Sequence, residues 1–295
     1  MTWQLENARF QVTINPTGAE LTRLWDKYLQ RNWMWQPQPG IWNNVATQLF
    51  PVVGQLIHRG LWQDERFFPL AAHGFMRHHP FRCCEQHATR LVIEACDNDS
   101  SRAVWPFAWR MRITWQLTDD GLEISWQVHN PGNERWGYSL GWHPGFALPV
   151  AREEGWFIRF SGGAPCGPFP TQQRTLIIDD DAPKVDIFPL TAQAFNAGAI
   201  YVAGMQHCQI AICSPSGEAR IMLTTGDQPW LALWGVPGAD LLCVEPLSGT
   251  TDAPDFDGQI AHKRGIRWLE PAQTHVHHLA MRFPADSRQA DDYNT

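Results

Sequence analysis

No stretch of this 295-residue chain carries a run of lysines or arginines, and acids outnumber bases 30 to 23, giving a net charge of −7. Nucleic acid and anionic membranes attract positive patches, so neither is an expected partner. Long apolar runs are missing too, and nothing approaches the roughly 20 residues of a membrane-spanning helix. The opening Met1-Thr2-Trp3-Gln4-Leu5-Glu6 has no basic segment leading into an apolar one, so a cytoplasmic protein is expected. The seven cysteines are an odd number and include no CxxC pair, which argues against a zinc framework and for reduced thiols. Helical periodicity is nearly absent, apart from a possible turn at Leu190–Phe195. Repeats and low-complexity tracts are missing, and no glycine-rich loop leads into a helix to cradle a phosphate.

What the chain has instead is tryptophan, 16 of them, and alternation. Trp suits strands and carries a large apolar surface, so most should pack a core while a few could wall a groove as flat platforms. Two hairpins are legible. Met111–Leu117 and Leu122–Val128 alternate apolar and polar around an Asp-Gly turn, and Gln209–Cys213 pairs with Ala219–Leu223 across Ser-Pro-Ser-Gly. Further strands are expected at Phe10–Ile14, Trp230–Trp234, Leu241–Glu245, Arg264–Leu269 and Thr274–Met281. Residues 151–185, rich in Gly, Pro and Asp, read as a long excursion with few strands. The expectation is an all-β protein, one large antiparallel sandwich over residues 1–284 with a polar tail at 285–295.

Candidate chemistry gathers at strand ends. In Gly141-Trp142-His143-Pro144-Gly145-Phe146 the proline lacks an N–H, so the chain is expected to leave its sheet beside His143. Glu245 ends an apolar strand before Pro246, where burial would raise its pKa towards that of a general base; a rim glutamate is the ordinary alternative. Gln55, His73, Arg77 and Asp252 occupy comparable places. His275, His277 and His278 invite a metal reading because alternate strand positions share a face. With no carboxylate or thiolate cluster around them, no metal and no cofactor is expected.

Taken in order, the Trp35–Trp42 stretch, Leu49-Phe50-Pro51-Val52-Val53-Gly54-Gln55-Leu56, His73-Gly74-Phe75-Met76-Arg77, Gly141-Trp142-His143-Pro144, Trp230–Trp234 and Cys243-Val244-Glu245-Pro246 resemble the aldose 1-epimerase (mutarotase) family, in particular its shorter LacX-like branch. The resemblance runs from about residue 10 to about residue 280. It implies a large antiparallel β-supersandwich, with His143 as general acid, Glu245 as general base and His73 bonding the sugar near its ring oxygen. Arg77 matches the arginine closing the same motif in the LacX-like branch. Two departures bear on the substrate. Gln55 stands where many relatives have an arginine, and Ala192-Gln193-Ala194-Phe195-Asn196 offers no counterpart to the family's sugar-binding aspartate.

Anomer interconversion needs two proton movements, one off the C1 hydroxyl and one onto the ring oxygen, so one carboxylate and one imidazole suffice. His143 is expected to rest as a cation beside Glu245, with a bell-shaped pH profile belonging to the pair. Trp142 and Trp234 are candidates for a wall facing the sugar. The expected partner is a small-molecule sugar, and the protein a monomer or homodimer. Alternatives are a hexose bearing a 6-phosphate or 6-sulfonate, bound by Arg77 with Arg59 or Arg82, and a non-catalytic sugar-binding protein. Glycoside hydrolysis is disfavoured because it calls for two facing carboxylates.

Overall fold

Strand formers alternating along most of the chain build antiparallel sheets in which sequence neighbours and strands far apart in the chain both pair, and the computed structural model describes residues 2–191 and 193–284. Strand accounts for 47% of the chain and helix for 4%. The largest sheet has nine strands, ordered Ile187–Pro189, Phe157–Ser161, Gln209–Cys213, Ala219–Thr224, Thr274–Arg282, Gly121–His129, Arg110–Leu117, Arg90–Cys96 and Arg82–Gln86. A six-stranded sheet follows the order Cys166–Pro170, Ile200–Ala203, Trp230–Trp234, Leu241–Leu247, Gly141–Ala147 and Ala46–Leu49. A four-stranded sheet is made from the first 32 residues. The ladders of the two larger sheets are antiparallel.

Both hairpins form where alternation and turn chemistry place them. Leu117 faces Leu122 across the Asp-Gly turn, and Gln209–Cys213 meets Ala219–Thr224 through a register shift after Ile212. Among the described residues the one α-helix, Asp99–Val104, is held by a capping box in which Asn98 accepts from the Ser101 backbone and the Ser101 hydroxyl accepts from the Asn98 backbone. Six residues are too few to show a helical period. The turn expected at Leu190–Phe195 is a run of turns over residues 193–197, and the polar tail at 285–295 lies outside the described residues.

Most tryptophans are core, as their apolar area demands. Trp33, Trp105, Trp109, Trp115, Trp136 and Trp142 are among the largest fully buried side chains. Two expectations about strand ends are corrected. His143 and Glu245 do not stand where strands stop: each sits mid-strand, in Gly141–Ala147 and Leu241–Leu247, with its following proline inside the strand. Pairing between these two strands is found at Gly141 and from Gly145 onward. Pro144 falls in that interval on the Leu241–Leu247 side and pairs with Ala46 on the other.

Candidate active site

Antiparallel register assembles the site before any loop is added. Gly141 pairs with Leu247 and Gly145 with Cys243, which sets His143 opposite Glu245. On the outer side His143 pairs with Thr47. On the other side Glu245 pairs with Ala232, and Ala232 with Tyr201. Because side chains directly across a sheet share a face, Thr47, His143, Glu245, Ala232 and Tyr201 form one row over five strands. That row lines a cavity of about 380 Å³, a size suited to a small ligand.

His143 Nε2 lies 3.3 Å from Glu245 Oε1, and the two side chains are only 12% and 5% exposed. Burial opposes charge on both. It pushes His143 down to about 3, with Arg77 adding to the effect. It also raises Glu245 well above the usual carboxyl range, against the opposing pull of Arg77. The cationic resting histidine expected from sequence is therefore corrected: in the unliganded pocket the uncharged arrangement is favoured, because desolvation outweighs the attraction between the two.

The aromatic wall of the cavity joins Trp42 to Trp234, the last residue of its strand. The Trp42 ring stacks on the His143 imidazole, with centroids 4.9 Å apart and planes at 24°. Trp234 stands edge-on to both, at 6.0 Å from His143 and 5.8 Å from Trp42. The Trp42 loop is tied to the His143 strand through Trp35, whose backbone N–H donates to the Gly145 carbonyl and whose indole N–H donates to the Trp42 carbonyl. Gly145 must be glycine for this contact, since a Cβ there would come within 2.6 Å of the Trp42 ring.

His73 completes the imidazole cluster, 5.9 Å from His143 and edge-on to it. Its Nδ1 accepts from the Gly54 N–H at 3.2 Å, and burial, with His143, Arg77 and Lys263 nearby, drives its pKa well down. A neutral ring whose Nδ1 accepts carries its proton on Nε2, so His73 offers the pocket a donor. The turn that carries it, with positive φ at both His73 and Gly74, needs glycine at 74, because a Cβ there would meet the Phe50 carbonyl oxygen at 2.2 Å. Tyr201, also buried, has its pKa raised by desolvation first and Glu245 second, and it remains a neutral hydroxyl beside the carboxyl.

Gln55, His73, Arg77, His143, Trp234 and Glu245 thus converge on one cavity. Trp142 does not. It points away from its neighbour His143 into the core, 1% exposed and edge-on to Trp115; alternation sends adjacent residues to opposite faces, and the wall role falls to Trp42. Asp252 stands behind the wall in a buried ion pair with Lys263 at 2.7 Å. Arg59 and Arg82 do not line the cavity, and Arg82 is paired with Glu94 on the edge of the nine-stranded sheet. His275 and His277 bracket the Tyr138 hydroxyl, and His277 faces Asp227. Residues passed over in the sequence include Trp42, Asn44, Thr47, Thr171, Arg174, Tyr201 and Thr251. Of these only Trp42 carried a signal, as part of an aromatic, proline-rich stretch.

One expectation separates the two wall tryptophans from the core. Trp42→Ala should raise KM about three- to tenfold through lost ring contact while the melting temperature changes little. A large melting shift with unchanged KM would assign Trp42 to packing instead.

Comparison with known proteins gives one consistent result. Residues 1–253 match the family model for aldose 1-epimerase. The chromosomal LacX protein of Lactococcus lactis subsp. lactis is 24% identical over 291 residues, covering 93% of this chain and 96% of its own. A galactose mutarotase related enzyme from Lactobacillus acidophilus superposes with a TM-score of 0.89 at 25% identity, over 97% of this chain and 98% of that one. A galactose mutarotase-like protein from Lactobacillus casei gives 0.86 at 23% identity, over 96% and 100% of the two chains.

Proposed function

The chain belongs to the aldose 1-epimerase family, and from that premise we propose that it interconverts the α and β anomers of a sugar by general acid–base ring opening. The observation that carries this reading is the direct contact of His143 and Glu245, buried and in register on neighbouring strands. The C1 hydroxyl oxygen and the ring oxygen are bonded to the same carbon, so an acid and a base that touch one another are close enough to serve both.

In this reaction Glu245 takes the C1 hydroxyl proton while His143 donates to the ring oxygen, and the ring opens to the aldehyde. Rotation about C1–C2 and reclosure with roles reversed gives the other anomer. The unliganded pair favours the uncharged arrangement, with its one proton on Glu245. A bound sugar changes that balance by supplying a donor to the carboxylate and an acceptor to the imidazolium, charge-assisted hydrogen bonds that favour the ionic arrangement. Arg77 also favours the carboxylate.

Exchange spectroscopy by NMR between α and β anomers tests the reading directly. Enzyme-dependent cross-peaks between the anomeric protons are expected at catalytic enzyme concentrations. Sugar binding without exchange would instead make this a binding protein on the same fold.

The pH profile follows from the proton count, since the pair is active with one proton between its two members. With two protons it lacks a base, and with none it lacks an acid. Burial lowers the His143 value to about 3, so the acid edge of the one-proton window moves down, and it raises that of Glu245, which then holds the last proton. A plot of kcat/KM is expected to show no acid limb at about 6.5, where an ordinary imidazole titrates, and to fall on the alkaline side as the last proton leaves Glu245. An acid limb centred near about 6.5 would show that His143 titrates as an exposed histidine.

A further inference from the structure

We propose that the sugar taken by this site carries an oxyanion, a phosphate, sulfonate or carboxylate at the end remote from C1, and that Arg174, with Arg77, receives it. This rests on the epimerase reading above and names the substrate class for the same pocket.

The first ground is the charge of the lining. One carboxyl group, Glu245, faces two guanidinium groups, Arg77 and Arg174. Burial keeps His73, His143 and Glu245 towards their uncharged forms. The pocket is therefore positive in a chain whose net charge is −7.

Pairing is the second ground. Elsewhere in the chain Arg82, Arg112 and Arg267 each lie against a carboxylate. Among the described residues Arg77 and Arg174 form no ion pair. Arg77 donates only to the Ala72 carbonyl, at 3.3 Å. Arg77 still feels the carboxyl groups of Glu20 and Glu245, so Arg174 is the guanidinium free to take a counter-ion from the ligand, and its planar fork suits an oxyanion.

The remaining polar lining points the same way. Asn44, Thr47, Gln55, Thr171 and Thr251 are neutral, and the segment 197–199 contributes only Ala, Gly and Ala. A sugar hydroxyl accepts as well as donates, and carboxylates are the strongest acceptors for its donor side. This cavity has none to spare once Glu245 is committed to C1.

Position is the last ground. C1 and the ring oxygen must reach His143 and Glu245 on the sheet, which leaves the far end of the sugar for the exposed Arg174. The Arg174 backbone is fixed from two sides. Its carbonyl accepts from the Thr251 hydroxyl at 2.6 Å, and Gln172 and Thr175 exchange backbone hydrogen bonds around it.

The test measures α/β exchange for glucose, glucose 6-phosphate, 6-sulfonated glucose and glucuronate, with calorimetric binding of each. At least one anionic sugar should exceed glucose in kcat/KM by about tenfold to a hundredfold, the range of a hydrogen bond to a charged group. Arg174→Gln should cut that preference at least tenfold, chiefly through KM, and Arg174→Lys should restore part of it. The three anions distinguish which oxyanion the site prefers. Equal or better turnover of glucose would overturn the proposal and leave the epimerase reading standing, as would a preference untouched by Arg174→Gln. Tighter binding of an anionic sugar with no exchange would sink the epimerase reading and keep the anion site.

Discussion

Glu245→Gln and His143→Asn should each lower anomer exchange by at least about a hundredfold, the lower end of what positioned proton transfer supplies. The two variants test different halves of one device. Gln preserves the shape of Glu245 and can still hydrogen-bond the sugar, but it cannot take up a proton. Asn at 143 keeps a polar group near the ring oxygen and has no proton to give at neutral pH. Neither effect should come through unfolding. Glu245 is 4% exposed, and its raised pKa records a cost of placing a carboxylate there, so a neutral amide should leave the melting temperature unchanged or higher. Loss of exchange with retained melting would be the sign of chemistry traded against stability. The double variant should be little slower than either single one, because an acid without its base does not open the ring. Unchanged exchange in one single variant would remove that residue from the mechanism.

The sheets were legible because their signal is local. Alternation in Arg110–Leu117 and Gly121–His129 names both the strands and the buried face. The identities of His143, Glu245 and His73 came from short motifs. Their meeting depends on register between strands about a hundred residues apart, which no local pattern encodes. Errors clustered where a local rule met a tertiary exception. Proline usually ends a strand, yet Pro144 and Pro246 lie within theirs because neighbouring pairs carry the ladder past them. Trp142 looked like a wall because it adjoins His143, whereas adjacency in a strand means opposite faces. Arg174 and Thr251 were invisible for a further reason: they reach the cavity from irregular segments, where sequence carries no period to read.

Removing Lys263 should have the largest effect on stability, because the cation is the hub of the wall that carries those segments. Its ammonium group donates to Asp252 Oδ1 at 2.7 Å and to the Thr250 carbonyl at 3.0 Å, and both side chains of the pair are 1% exposed. The other Asp252 oxygen accepts from the Ile57 N–H at 2.9 Å. The Asp252 backbone accepts from Leu176 N–H and donates to the Gln55 carbonyl. One aspartate thus joins the stretches that bring Gln55, Arg174 and Thr251 to the cavity. Lys263→Met leaves that carboxylate buried with its main counter-charge gone, and urea unfolding should show a loss of about 3–5 kcal/mol. The double variant Lys263→Met with Asp252→Asn removes both charges, so it should recover part of the loss and give a clearly non-additive cycle. It keeps a side chain able to accept from Ile57, so its KM should lie nearer the wild type than that of the single variant. Additive losses in the two singles would mean that Lys263 and Asp252 act separately, and the wall would then owe its shape to backbone hydrogen bonds alone.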